Sequence, residues 1–369
     1  MDDRPLLAIT MGDPAGIGPE TIARAWADPA MHEVCRAVVV GNSVVLRRAV
    51  KVVGSRAEVV AVEEESLTRG TASEPRRGTA WDADGSSIAR IPCLECGDGE
   101  AEFVSPAMID PRGGQAAYDS LVKAVELTNS GRVDGIVTAP LHKAALWQAG
   151  HHYPGHTELL AELCGVRDFA MMLYLPPGET VRGPAGLGVV HVTLHMALRD
   201  VFASLDCAAI LSKIHLADEA LRRLRRFHGL GDRPRIAVAA LNPHAGEEGL
   251  FGDEERTVIG PAVERARAEG LDVVGPLPTD TLMAAARDGR YDAVVAMYHD
   301  QGHIAIKLLG MHSAVNVTLG LPIVRTSVAH GTAFDLAWQG RAECSGMIAA
   351  LRVAAQLKMT NDEIRVSKG

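Results

Sequence analysis

Aromatic residues are scarce in this sequence, at 4% of 369 residues, whereas glycine occurs 37 times. Few large rings and many small residues are typical of tightly packed α/β layers joined by short turns. Long basic runs are also missing, and 37 Lys and Arg stand against 46 Asp and Glu. The formal net charge of −9 gives no indication of binding to nucleic acids or anionic membranes.

Long hydrophobic runs are missing as well. No apolar stretch approaches the roughly 18 residues that a membrane span requires, and we expect no signal peptide at the N-terminus. Six cysteines lie scattered along the chain, which favours reduced thiols in the cytoplasm. Cys93 and Cys96 form a single CxxC, and a zinc knuckle requires a second pair. Surface thiols are therefore the favoured interpretation of this pair.

Apolar runs alternate with amphipathic runs over most of the sequence. Buried strands are predicted at residues 6–10, 37–40, 135–139, 187–192, 236–241 and 291–297. Helical spacing occurs at residues 19–27, 113–129, 204–226 and 261–269. Strands that alternate with helices predict βαβ units and a largely parallel sheet, which is an α/β fold. Residues 62–101 break this pattern, and we predict an exposed insertion there rather than a core element.

Histidines follow several of the predicted strands. His195, His244 and His299 come after three strands whose carboxyl ends would share one edge of a parallel sheet, where ligands bind. Three neutral imidazoles can bind Zn²⁺ and leave one position open for substrate. His191 lies four residues before His195, but it falls in a predicted strand, so no helical two-histidine pattern supports the site. The sequence pattern is compatible with two alternatives, a metal site and a set of ordinary polar histidines.

Two further strand ends are rich in glycine or in cations. Residues 11–20, MGDPAGIGPE, follow the first strand and open a helix, but their GxxxGxG spacing differs from the dinucleotide fingerprint. A tight turn is favoured there over phosphate binding. Residues 138–143, TAPLHK, end another strand with a lysine, and Lys307 and Arg325 flank residues 316–320. The pattern is compatible with two roles for these lysine and arginine side chains: solvation at the surface, or binding of an anion.

Eight ordered segments resemble the 4-hydroxythreonine-4-phosphate dehydrogenase family of pyridoxal phosphate biosynthesis. They are MGDPAGIGPE, VDGIVTAPLHK, YPGHTELLA, VTLHMALRDV, NPHAGEEGLFGDEE, GPLPTDT, YDAVVAMYHDQGH and NVTLGLPIVRTS. The resemblance extends from residue 5 to residue 357 or so and departs mainly at residues 62–101.

This resemblance implies an α/β fold of two α/β/α domains with a cleft between them, like that of isocitrate and isopropylmalate dehydrogenases. Residues 1–145 and 326–369 would form the first domain, with the insertion at about 62–101. Residues 146–325 would form the second domain, which carries the metal ligands and the dimer interface. The protein would be a cytoplasmic homodimer whose active site is shared between subunits.

The resemblance also implies roles for individual residues. A divalent metal would be bound by His195, His244 and His299, one of them reaching across from the partner subunit. The phosphorylated substrate would be bound by a set of five side chains, His156, Thr157, Lys307, Asn316 and Arg325. Lys307 is the first candidate for the base that takes the hydroxyl proton, because a lysine beside a metal is driven toward its neutral form. Asp300 is the second candidate, as a base or as the group that orients a ligand histidine.

Residues 330–340, HGTAFDLAWQG, resemble the NAD-binding loop HGSAPDIAGKG of the isopropylmalate dehydrogenases. The resemblance implies that the adenosine end of NAD, or of NADP, binds near His330, Gly331, Thr332 and Asp335. Two positions depart from the pattern: Ala329 stands where the family has Asp, and Trp338 replaces a glycine.

The expected reaction is NAD-dependent oxidation of a secondary alcohol β to a carboxylate, followed by decarboxylation of the β-keto acid. 4-Phosphohydroxy-L-threonine is the first candidate substrate, and 4-phospho-D-threonate or 4-phospho-D-erythronate is the alternative. A dihydrodiol dicarboxylate dehydrogenase and a non-catalytic metal-binding protein are less favoured. The expected metal is Zn²⁺, Co²⁺, Ni²⁺ or Mg²⁺, and we expect no nucleic-acid or membrane partner.

Overall fold

A computed structural model describes residues 4–67 and 88–366 of the chain. The strands are β1 (Leu6–Thr10), β2 (Arg36–Gly41), β3 (Glu58–Val62), β4 (Arg90–Glu95), β5 (Gly135–Thr138), β6 (Ala170–Leu175), β7 (Leu187–His191), β8 (Ile236–Ala239), β9 (Val273–Leu277), β10 (Ala293–Ala296), β11 (Val315–Leu319) and β12 (Val324–Val328). The helices are α1 (Gly18–Trp26), α2 (Pro29–Val34), α3 (Ser43–Val52), α4 (Pro111–Asn129), α5 (Lys143–Gln148), α6 (His156–Leu163), α7 (Leu198–Ser204), α8 (Cys207–Phe227), α9 (Gly260–Ala268), α10 (Thr279–Arg287), α11 (His299–Gly310) and α12 (Ser345–Val366).

The chain divides into two compact units. The first comprises the described residues within Met1–Gly165 and Leu321–Lys358, and the second those within Val166–Gly320 and Met359–Gly369. Strands and helices alternate in both, so the predicted α/β class is confirmed. None of the described helices combines the length and the apolar character needed to cross a bilayer.

The first unit contains a sheet in the order β3-β4-β2-β1-β5-β12, with every described pairing parallel. The strands β1, β2, β5 and β12 are buried almost throughout, which explains why β1 and β2 are continuous apolar runs. A cluster of buried residues that includes Leu6, Val38, Leu121 and Ile136 forms the core beneath them. The carboxyl ends of β1, β5 and β12 are therefore fixed side by side in this unit.

The second unit contains the strand order β11-β6-β7-β10-β8-β9. The pairings of β6 with β11 and with β7 are antiparallel, whereas β7, β10, β8 and β9 pair in parallel. The largely parallel sheet that the sequence predicts is thus present, with β6 as the exception. The ends of β7, β8 and β10, each followed by histidine-containing turns, lie at one edge.

The prediction of an exposed insertion at residues 62–101 is wrong in part. Residues 68–87 lie outside the described part of the chain, but β4 is a sheet strand that pairs with both β2 and β3. Ile91 and Cys93 are completely buried, so Cys93 is a core residue and not the surface thiol that the sequence suggested. The charged and glycine-rich character of the segment suggested exposure, whereas pairing with β2 and β3 buries the four central residues of β4.

The boundary of the first unit also differs from the predicted domain boundary. Residues 146–165, assigned from the sequence to the second domain, belong to the first unit. Leu159 and Leu160 on α6 are fully buried in the same core cluster as Leu6 and Ile136, which accounts for the assignment.

Candidate active site

The first unit contains a basic cluster, which we define as Thr138, Lys143, His156, Thr157 and Arg325. Arg325 on β12 is 1% exposed, and its Nη2 donates to Oγ1 of Thr138 at the end of β5, at 2.7 Å. Burial lowers the pKa of Arg325 to about 9, while the nearby Glu158 carboxylate acts in the opposite direction. A buried guanidinium at the carboxyl end of a strand, with N–H donors arranged in a planar fork, is suited to receiving an anion.

His156 begins α6 beside this arginine. Burial lowers its pKa well below the usual value, and the charges of Arg325 and Lys143 lower it further. The residue before it, Gly155, provides no side-chain cap, so the first turn of α6 keeps amide donors for other partners. Buried Thr157 adds a hydroxyl to the same turn. Cations, a neutral imidazole and a helix N-terminus together match a phosphate better than any single feature does.

The second unit contains a histidine array, which we define as His191, His195, His299 and His303. The rings of His299 and His303 stack with centroids 3.7 Å apart, and those of His195 and His299 are 6.1 Å apart. Nδ1 of His303 and Nε2 of His191 share a hydrogen bond of 3.0 Å. Burial, followed by the charges of neighbouring groups, lowers the pKa of His191 to about 3 and that of His303 to about 4. These two imidazoles are therefore neutral at physiological pH.

Asp300 lies next to His299 at the start of α11. The distance from its Oδ1 to Nδ1 of His299 is 2.7 Å, so the carboxylate accepts a hydrogen bond from Nδ1–H. The other ring nitrogen, Nε2, then faces away from the carboxylate. This contact matches the orienting role among the two roles considered for Asp300. Lys307 is half-buried on the same helix, one turn after His303, and its charge contributes to the lowered pKa of His303.

His244 lies in an unusual turn between Pro243 and Gly249. Five consecutive residues from His244 to Glu248 have positive φ angles between 43° and 79°, a conformation that costs non-glycine residues energy. The buried Glu255 holds the turn's beginning, because its Oε1 accepts from the amides of Leu241 and Asn242. The side chain of His244 is exposed, and its ring lies near Phe251, with centroids 6.5 Å apart.

The three predicted metal ligands are only partly brought together. His195 and His299 are neighbours, whereas within the described residues no group of three or more His, Cys, Asp or Glu is gathered closely enough to hold a metal ion. The donor chemistry, neutral imidazoles with a carboxylate behind one of them, suits a divalent transition metal. Within the described residues, the predicted set of metal ligands is therefore incomplete.

Asn316, the remaining predicted substrate ligand, lies on β11 in the second unit and is half-buried. Its Oδ1 is buried without a hydrogen-bond partner among the described residues. A buried amide oxygen without a partner is costly, and a bound hydroxyl or ammonium group would satisfy it.

The predicted cofactor residues form an accessible segment. His330, Gly331 and Asp335 are exposed, and Thr332 is half-exposed. The ring of Phe334 in this segment stacks on His142 with centroids 4.7 Å apart, and His142 precedes Lys143 of the basic cluster. The side chain of His142 also caps α5 by accepting from the amide of Ala145.

Gln301 is a residue that the sequence reasoning missed. Its Oε1 accepts from the amide of Met297, while its Nε2 donates to the carbonyl of Ala240 and to Oγ1 of Thr279. One side chain thus connects the ends of β10 and β8 to the start of α10 and fixes the turn that carries His299. The only sequence signal was its position in YHDQGH, two residues after the predicted ligand.

Comparison with known proteins relates this chain to one family. Residues 33–354 match the family described as Pyridoxal phosphate biosynthetic protein PdxA. The chain is 44% identical over 351 residues to D-threonate 4-phosphate dehydrogenase of Salmonella typhimurium, covering 95% of this chain and 98% of that one. It is also 44% identical over 354 residues to 4-hydroxythreonine-4-phosphate dehydrogenase of Geobacter metallireducens, covering 96% of each.

The fold is similar to a solved structure with the same level of sequence identity. The crystal structure of 4-hydroxythreonine-4-phosphate dehydrogenase from Klebsiella pneumoniae superposes with a TM-score of 0.80 at 42% identity, covering 96% of this chain and 98% of that one.

Proposed function

The chain belongs to the PdxA family of pyridoxal phosphate biosynthetic proteins, and on that premise we propose that it is an NAD-dependent dehydrogenase of a phosphorylated four-carbon hydroxy acid. The proposed substrate is 4-phosphohydroxy-L-threonine, which is oxidised at its C3 hydroxyl. The observation that carries the proposal is the basic cluster, where buried Arg325 and neutral His156 surround the N-terminus of α6.

The basic cluster binds the phosphate in this proposal. Arg325 presents a planar fork of N–H donors, which matches two phosphate oxygens, and Lys143 adds a point charge. His156 and Thr157 donate hydrogen bonds without adding charge. An anion would stabilise the charged form of the guanidinium, as the nearby Glu158 carboxylate already does, against the effect of burial.

The second unit acts on the reacting carbon. The carboxylate of Asp300 accepts a hydrogen bond from Nδ1–H of His299, so that Nε2 of His299 can bind a ligand. Asp300 is thereby committed as the orienting group, and Lys307 is left as the base that takes the C3 hydroxyl proton. Asn316 would orient the substrate through its Oδ1, which lacks a protein partner among the described residues.

Bound NAD would supply the hydride acceptor, and a bound divalent metal would polarise the substrate oxygens. Three imidazoles, from His195, His244 and His299, are the proposed ligands and suit Zn²⁺, Co²⁺ or Ni²⁺ better than Mg²⁺. Since the described chain gathers only His195 and His299, we propose that a second copy completes the set. His330, Gly331, Thr332 and Asp335 are the proposed contacts for the adenosine end of NAD or NADP.

The oxidised product is a β-keto acid. Its carboxylate lies one carbon from the new carbonyl, so loss of CO₂ leaves an enolate that a bound cation can stabilise. Decarboxylation therefore follows oxidation in the proposed reaction, and the protein's part is to hold the phosphate end while the carboxylate leaves.

The alternative substrate is 4-phospho-D-threonate. The chain is 44% identical both to D-threonate 4-phosphate dehydrogenase and to 4-hydroxythreonine-4-phosphate dehydrogenase. The two compounds share the phosphate, the C3 hydroxyl and the carboxylate, and they differ at C2, where one has an ammonium group and the other a hydroxyl. The deciding experiment is the initial rate of NADH formation with each compound, side by side, with Zn²⁺, Co²⁺ or Mg²⁺ added. A higher kcat/KM for the amino acid supports the first assignment, and a higher value for the threonate reverses the order.

A homodimer is part of the proposal. Ile304, Leu308 and Met311 are 58%, 82% and 55% exposed and are spaced to share one face of α11 and its end. Exposed apolar residues grouped on the helix that carries His299 are typical of an interface. We place the enzyme in the cytoplasm, where all six cysteines, which form no disulfide, would stay reduced.

A further inference from the structure

Residues 13–20 and residues 330–340 are joined by direct contacts within the first unit. The amide of Ile17 donates to the carbonyl of Thr332 at 3.0 Å. A side chain at Gly16 would meet the Cβ of Thr332 at 2.9 Å, so the two backbones approach as closely as glycine permits. The glycine-rich turn therefore packs on the segment proposed to bind the cofactor. We name residues 330–340 the cofactor loop.

Glu20 on α1 holds the far end of this loop. It is completely buried, and its carboxylate accepts hydrogen bonds from the amides of Trp338 and Gly340. One helical turn later, Arg24 donates to the carbonyl of Gly340. Two oppositely charged side chains on one face of α1 thus bind the backbone of two loop residues, a charge-assisted arrangement stronger than neutral hydrogen bonds.

Trp338 is the second anchor. Its φ of 61° lies in the left-handed region, where a glycine would be free of strain and a tryptophan is not. Its ring contacts offset that cost: Nε1 donates to the carbonyl of Pro14 at 2.9 Å, and the guanidinium carbon of Arg48 lies 5.4 Å from the ring centroid. Ile17, Ala337 and Ala342 form the apolar cluster against which the ring packs.

We propose that Glu20 and Trp338 are positioning residues for the cofactor, which fix the cofactor loop on the turn of residues 13–20 and thereby set the affinity for NAD. This inference rests on the proposed function, since it presumes that the loop binds NAD. Neither side chain is assigned to the cofactor itself. Their effect is to keep His330, Thr332 and Asp335 in place before NAD arrives, so that binding requires no ordering of the loop.

The test compares Glu20→Gln and Trp338→Gly with the wild type in steady-state kinetics and in calorimetric titration with NAD alone. Glutamine keeps the shape but offers one acceptor oxygen to two amides, and glycine keeps the backbone conformation while removing the ring. We expect KM and Kd for NAD to rise about ten-fold in each, with kcat and the KM for substrate within about two-fold. Hydrogen exchange at the amides of residues 338 and 340 should accelerate in Glu20→Gln.

A third test variant and one control keep the test decisive. Gly16→Ala disturbs the same contact from the other side and should also raise the Kd for NAD, whereas Glu58→Gln, an exposed position on β3, should leave it unchanged. Unaltered NAD affinity in Glu20→Gln, Trp338→Gly and Gly16→Ala, in a wild type that does reduce NAD, overturns this inference alone. A wild type that neither binds nor reduces NAD overturns the proposed function, and this inference with it.

Discussion

At the scale of single residues, Arg325 is the side chain on which the proposed phosphate binding depends most. It is 1% exposed, and its Nη2 donates to Oγ1 of Thr138. Lysine retains the charge but lacks the planar fork, so Arg325→Lys should raise the KM for the phosphorylated substrate about ten-fold or more while the KM for NAD is unchanged. Initial rates at varied substrate and varied NAD measure both values. An equal rise in the two KM values would contradict a role confined to the phosphate.

Asp13 is a buried carboxylate that the proposed reaction does not use. It is completely buried, its Oδ1 accepts from the amide of Ala15, and its Oδ2 has no partner among the described residues. Burial raises its pKa from 3.8 to about 6, against the opposing effect of the Ala15 amide. Between these values the folded state retains a proton that the unfolded state has lost, so the free energy of unfolding falls as pH rises through this range.

Asp13→Asn should therefore stabilise the protein at neutral and higher pH. The asparagine keeps the acceptor for Ala15 and removes the buried charge, which costs at most about 3 kcal/mol above pH 6. Thermal unfolding of both proteins at several pH values measures the effect. The difference in Tm should be close to zero near about pH 4 and positive near about pH 8. A difference that is independent of pH would show that Asp13 is not the titrating group.

Residue types at strand ends were the part of the site that the sequence could predict. His156, Arg325 and the pair His195 and His299 were all singled out from their position after apolar runs or from the family resemblance, and the structure brings them into two local groups. Gln301 and Glu20 could not be found in this way. Their importance lies in hydrogen bonds to backbone amides and carbonyls distant in sequence, for which a single sequence holds no signal.

At the scale of elements, the approach of α11 to β7 sets the position of the histidine array. A methyl group at Gly302 would lie 2.5 Å from Nε2 of His191 and 2.6 Å from Cγ1 of Val189. Gly302→Ala should therefore push the helix from the strand and cost about 1–3 kcal/mol of stability. Gly178→Ala, in the same unit and with nothing within 4 Å of the added carbon, is the matched control.

Urea unfolding of the two variants measures this prediction. A loss of stability in Gly302→Ala, with Gly178→Ala close to the wild type, supports the close packing. Equal stability of both variants would mean that α11 can shift without cost. Because α11 carries His299, Asp300 and Lys307, Gly302→Ala should also lower kcat more than it raises the KM for NAD.

Elements with a clear apolar period were predicted within a few residues, as for α4, predicted at 113–129 and found at Pro111–Asn129. The helix predicted at 204–226 is found as α8 at Cys207–Phe227, and it begins after Asp206 because the side chain of Asp206 accepts from the amide of Ala209. β4 was not predicted, because its charged surroundings conceal a run of only four buried residues. The local apolar pattern does not predict a strand whose burial depends on its neighbours in the sheet rather than on its own residues.

At the scale of the whole molecule, the exposed apolar face of α11 predicts self-association. Leu308 is 82% exposed, and a carboxylate at this position could not be buried against a second copy. Leu308→Glu should therefore be monomeric where the wild type is dimeric, with little change in the stability of the fold. Sedimentation equilibrium measures this, and Ala268→Glu, an exposed position on α9, is the control. A dimeric Leu308→Glu would exclude this face as the interface.

The roles proposed for the two units were accessible from the sequence only through the family resemblance. Apolar periodicity predicted the α/β class, but it could not assign residues 146–165, because their contacts with β1 and β5 depend on tertiary packing. The proposed metal site was the feature least accessible from the sequence. A ligand set that two copies of the chain would share leaves no compact pattern in one sequence or in the described residues.

The central claim is that the enzyme recognises its substrate by a phosphate and oxidises the adjacent hydroxyl with NAD. The most direct measurement is the initial rate of NADH formation with 4-phosphohydroxy-L-threonine and with unphosphorylated 4-hydroxy-L-threonine, at equal concentrations and with a divalent metal added. We predict turnover of the phosphorylated compound and a kcat/KM lower by a factor of about one hundred or more without the phosphate. Equal rates with the two compounds, or no NADH from the phosphorylated compound and from 4-phospho-D-threonate, would contradict the account.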